Sequence, residues 1–94
     1  MTDIMEAVLA KYTGKNNSGK PKADFVRSLF AMTNEELYEA CKQYIWLSAY
    51  AGNNPRSDFH WMCDACYDAA KARDESAAIY SEAYNSVSKE LGFS

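Results

Sequence analysis

Apolar residues in this chain recur every three or four positions along most of its length, and no stretch alternates with period two. That rhythm places side chains on one face of a 3.6-residue helix, so the chain reads as all-α. The first helix carries Ile4, Met5, Val8, Leu9 and Tyr12, with Thr2 positioned to cap it and Gly14 to stop it. Phe25, Val26, Leu29 and Phe30 mark a short second helix. In "TNEEL", Thr33 and Glu36 have capping-box spacing and open a third helix, expected to run to about Ala51 and end at Gly52. Its stripe is Leu37, Cys41, Tyr44, Ile45 and Ser48. Ser57 or Asp58 caps a fourth, with Phe59, Met62, Cys63, Cys66, Tyr67 and Ala70 in its stripe. "ARDES" marks a break, and a fifth helix presents Tyr80, Ala83, Tyr84, Val87 and Leu91 before Gly92 closes it. The expected architecture is a compact single-domain bundle of about five helices over residues 1–94, with short loops and a flexible polar loop at about 13–21. Short connections make sequence neighbours pack antiparallel.

Composition sets outer limits. Ninety-four residues allow one modest core, and a hydrophobic fraction of 48% argues against wholesale disorder. The longest apolar run, "YIWLSAYA", falls well short of the roughly 20 residues that span a bilayer. "MTDIMEAVLAKY" lacks the basic start of a secretory signal. Three cysteines make a poor disulfide framework. The expectation is a cytoplasmic protein that does not use a membrane. Residues 1–31 hold five Lys/Arg against three acids, and residues 32–94 hold five against ten. That balance argues against direct binding to nucleic acid, which needs many phosphate-neutralising cations.

"TGKNNSGKPK" contains G-x-x-x-x-G-K, the skeleton of a phosphate-binding loop. A working P-loop follows a strand, opens a helix and places Ser or Thr after the lysine to hold Mg²⁺. Here a helix precedes it, and Pro21 follows Lys20. The stretch therefore reads as a connection between helices. Its nearby lysines, Lys11, Lys15, Lys20 and Lys22, leave open a contact with phosphate or an acidic partner.

"HWMCDAC" places His60, Cys63 and Cys66 three residues apart. With Cys41 they form a conceivable metal set, but neither a second C-x-x-C nor an H-x-x-x-H accompanies them. Core packing is the preferred reading for the thiols. His60, Asp64 and Asp68 follow i, i+4, i+8 along one flank, which reads as a solvated polar face. No catalytic constellation appears, so neither an enzyme nor a cofactor is expected.

The tryptophans are the anomaly. At about 100° per residue, Trp46 points away from the stripe of the third helix, beside Glu35, Glu39, Lys42 and Tyr50. Trp61 falls behind the stripe of the fourth, among Asp64, Ala65 and Asp68. Two readings compete. Either the third helix is central and buried all round, or aromatic residues on an acidic background form a binding patch. Seven tyrosines favour a patch, because a small core cannot partner every hydroxyl.

The stretch "AYAGNNPRSDFHWMCDACYDAAKA" resembles short helical accessory proteins encoded by bacteriophages and prophages, anti-CRISPR proteins among them. The resemblance implies protein–protein inhibition. It supplies no functional residue. Taken together, the expectation is a non-enzymatic protein-binding module of phage-inhibitor type that occludes a host protein or nucleoprotein complex. Trp46, Tyr50 and Trp61 would anchor the partner, ringed by Glu35, Glu39, Asp64 and Asp68. A His/Cys metal-binding regulator and a nucleic-acid adaptor using the lysine-rich loop are the alternatives. A homodimer would use the same aromatic faces.

Overall fold

The computed structural model describes residues 2–92, with side chains from residue 4 onward. It is a compact all-α bundle of α1 (Thr2–Leu9), α2 (Lys22–Phe30), α3 (Asn34–Tyr50), α4 (Asp58–Arg73) and α5 (Ala78–Leu91), joined by short loops. No helix is long and apolar enough to cross a membrane.

Local chemistry explains most boundaries. Thr33 Oγ1 accepts from Glu36 N at 3.1 Å while Glu36 Oε1 accepts from Thr33 N at 2.9 Å, closing the expected capping box. Ser57, not Asp58, caps α4 by accepting from Phe59 N. Gly92 ends α5 in the left-handed region. Gly52 does not end α3 that way: Ala51 is the cap, and a Cβ at Gly52 would meet the Ala49 carbonyl at 3.2 Å. α1 is shorter than its apolar rhythm implies. It tightens after Leu9 into i to i+3 bonds, Lys11 N to Val8 O and Tyr12 N to Leu9 O. Tyr12 thus enters the core from outside the helix. The side chain of Thr2, the expected cap of α1, lies outside the described residues.

The 13–21 segment folds into a closed turn. Lys15 and Pro21 bridge, and Asn16 Oδ1 accepts from Ser18 N and Lys20 N at 2.9 and 3.0 Å. Gly14 and Gly19 have φ near +88° and +83°, where a side chain would be strained. The glycines that mimic a P-loop serve this turn. Asn17 N then donates to the Asp58 carboxylate, and Asn17 Nδ2 to Arg56 O at 2.8 Å, so the loop sits on the start of α4.

α4 is the central helix. It packs against all four others, with α1 and α2 on one side and α3 and α5 on the other. Its buried residues are Cys63, Ala65, Cys66, Ala69 and Ala70, small side chains that let neighbouring backbones approach. Ala65, which the helical rhythm assigned to the outer face, is fully buried. α3 packs mainly on α5 and α4. Leu37, Ala40, Cys41 and Ile45 form its inner stripe, and its opposite face carries no helix.

Candidate functional site

On α3, Glu35, Glu39, Gln43, Trp46 and Tyr50 follow one another at four-, four-, three- and four-residue intervals. That spacing draws a single stripe along the helix, and every member is exposed. Its first half is acidic and its second half aromatic. Trp46 is 38% exposed and Tyr50 80%. Their rings stack, with centroids 5.2 Å apart and planes 15° apart. Stacking at i, i+4 orders two large rings in advance, so little side-chain freedom is left to lose on contact.

The stripe floors a chain of shallow hollows. Met32, Glu36 and Ala40 flank its acidic end. Lys42, Leu47, Val87 and Glu90 flank its middle, and Ala49 and Leu91 its aromatic end. Leu91, assigned by its rhythm to the core of α5, is 37% exposed and lines the same hollow as the ring pair. Lys42 rests over the Tyr38 ring at 5.6 Å. Glu35 and Glu36 occupy the first turn, where the helix dipole favours acids. Their presence there has a local reason.

The remaining expected anchors lie elsewhere. Trp61 is half-buried among α1, α2 and α4. Its ring meets Phe25 edge-on at 5.5 Å and Tyr12 at 6.1 Å. Nε1 donates to Asp58 at 2.8 Å, and Lys22 Nζ sits 5.2 Å above the ring. Asp68 Oδ2 accepts from Tyr12 Oη at 2.6 Å and Lys11 Nζ at 2.9 Å. Asp64 is exposed, beside Trp61 in a polar hollow with Lys15 and Arg56. The expected single surface across α3 and α4 is therefore divided. The reason is the cover that α1 and α2 give to the back of α4. Glu35, Glu39, Trp46 and Tyr50 share the open stripe, while Trp61 and Asp68 are engaged inside the fold.

The metal set does not assemble. His60 Nδ1 pairs with Ser48 Oγ at 2.8 Å, and Nε2 faces the carbonyls of Ala51 and Asn54 at 3.2 and 2.9 Å. Two carbonyl neighbours put the proton on Nε2. The ring pins the end of α3 and the following loop to α4. Cys41 Sγ donates to Cys66 O at 3.9 Å, and Cys63 Sγ pairs with Tyr80 Oη at 3.3 Å. All three thiols are free and buried. Contact with Cys41, and then burial, hold the Cys66 thiol far above its ordinary range; burial raises Cys63. Among the described residues no three His, Cys, Asp or Glu side chains gather around a common point that could hold a metal.

The lysines are likewise dispersed. Lys11 pairs with Asp68 and Lys22 covers Trp61, while Lys15 and Lys20 stay exposed on the turn. Set against protein-family models, curated proteins and solved structures, the chain shows no match.

Proposed function

We propose that this chain is a non-enzymatic protein-binding module whose contact surface is the exposed stripe of α3. The observation that carries the reading is the stacked Trp46–Tyr50 pair held at the surface beside Leu91. Preordered aromatics with an apolar body and a polar tip are the residues that dominate interface energetics. Glu35 and Glu39 add charge that steers a cationic partner and rejects an anionic one. The mechanism is occlusion: a small domain covers a surface its target needs, in the manner of the phage-encoded inhibitors the sequence resembles. Basic residues that a host complex uses to hold nucleic acid would be a fitting target for the acidic end. Three free, buried thiols suit action in a reducing cytoplasm.

The test is affinity capture from the native host with the wild-type chain and with the Trp46→Ala/Tyr50→Ala double variant. The expected result is a specific protein retained by the first and lost by the second. Retention by both, with the variant folded, removes the α3 stripe as the contact surface.

A further inference from the structure

Resting on that reading, we infer that the stripe receives a basic amphipathic α-helix of the partner, laid along α3. Its cationic turns lie over Glu35 and Glu39, and its apolar residues meet Trp46, Tyr50 and Leu91. Three features of the surface select this occupant.

The first is shape. From Glu35 to Tyr50 the stripe spans roughly 22 Å at 1.5 Å per residue, the length of about four helical turns. The C-terminal part of α5 forms one wall, through Val87, Glu90 and Leu91. A furrow between two packed helices is the shape into which a third helix fits. Extended peptides dock by adding a strand to a sheet edge, and no strand is present among the described residues.

The second is the segregation of chemistry. Acids occupy one half of the stripe and rings the other, with Gln43 between them. A matching helix has its cations and its apolar residues segregated in the same way. A partner with charge and apolar groups interspersed would bury an apolar side chain against Glu39, which costs desolvation of the carboxylate without return.

The third is charge, which also decides against a second copy of this chain. Laid antiparallel on its twin, the stripe would set Glu35 and Glu39 against the negative faces of the Trp46 and Tyr50 rings. Laid parallel, it would set acid on acid. Lys42, the cation beside the stripe, already rests on Tyr38. Nucleic acid is disfavoured for the same reason, since its phosphates would meet the acidic half.

The probe is a fluorescein-labelled synthetic helix of about 15 residues, with arginines confined to one half and leucines at i, i+3, i+4 and i+7 in the other. Fluorescence anisotropy against the full chain should show saturable binding that weakens as salt rises. Trp46→Ala should weaken it about tenfold or more. Glu35→Gln/Glu39→Gln should weaken it and flatten the salt dependence. A peptide of the same composition with arginines and leucines interspersed should not saturate. The inference is overturned if the segregated helix fails to bind, if the interspersed one binds equally, or if the variants change nothing. A concentration-dependent dimer that Trp46→Ala dissolves would also overturn it, by showing a second copy on the stripe. Failure of the peptide alongside Trp46- and Tyr50-dependent capture removes the helical occupant and leaves the module standing. Capture that ignores both rings removes the module, and this inference with it.

Discussion

Burial decides how single residues ionise here, and Tyr12 and Tyr80 show it most clearly. Desolvation is the main cause that raises both phenols; the hydrogen bond to Asp68 adds to it at Tyr12, and that to Cys63 at Tyr80. Each phenol has an ordinary value of 10.0, which the unfolded chain keeps, and a higher one in the fold. Above that point the unfolded chain sheds protons the folded chain retains. Stability is therefore complete below about pH 10 and falls as pH climbs past it. Melting temperatures taken from about pH 8 to about pH 11 should show this decline, and Tyr12→Phe and Tyr80→Phe should each make it shallower. His60 makes a second residue-scale prediction. Its ring joins Ser48 to the carbonyls of Ala51 and Asn54, so His60→Ala should cost about 1–3 kcal/mol in denaturant unfolding. A chelator should leave the wild-type transition in place. The histidine stood out in the sequence as a candidate ligand because residue type and spacing suggest chemistry. Only the third dimension shows that both ring nitrogens already have partners.

At the scale of elements, the helices were legible because each is amphipathic and several announce their ends. Thr33 with Glu36, Ser57 and Gly92 are punctuation that needs no tertiary context. What a helical wheel cannot say is how many neighbours a helix receives. Ala65 and Trp61 appeared outward-facing because one stripe was assumed for α4, whereas two pairs of helices cover it. Arg73 escaped notice for a related reason. Its guanidinium donates to Leu29 O, Met32 O and Asn34 Oδ1 at 3.0, 2.6 and 2.8 Å, serving Met32 O, adding a second donor to Leu29 O beside Met32 N, and tying the end of α2 to α3. Nothing in "AKARDES" points to carbonyls some 40 positions away, as the 41- and 44-residue separations of those bonds show. Arg73→Met should lower stability by about 1–2 kcal/mol, since Met32 O loses its charged donor and Leu29 O keeps only Met32 N. Arg73→Lys should recover only part of the loss, because one ammonium cannot reproduce the planar fork. Urea unfolding of the three proteins measures both effects.

The whole molecule is a slab, 37 × 29 × 17 Å between its Cα extremes. A body about two helices thick leaves its outer helices open on one side. α3 is one of them, and the exposure of Trp46 and Tyr50 follows from that shape rather than from any local signal. The sequence placed both rings opposite the inner stripe, which was correct for α3. The same geometry applied to Trp61 misled, because thickness is a property of the assembly and not of a helix. Tyr50 is 80% exposed and Trp46 38%, so Tyr50→Ala should change the unfolding free energy by no more than about 0.5 kcal/mol and Trp46→Ala by about 1–2 kcal/mol. Trp61→Ala should cost about 3 kcal/mol or more, since its ring packs on Phe25 and Tyr12. Affinity for the captured partner, compared between Trp46→Ala and Trp61→Ala under conditions where both stay folded, is the most direct measurement. Loss of binding in the first with retention in the second is the expected result. Retention in Trp46→Ala, or loss confined to Trp61→Ala, would contradict it.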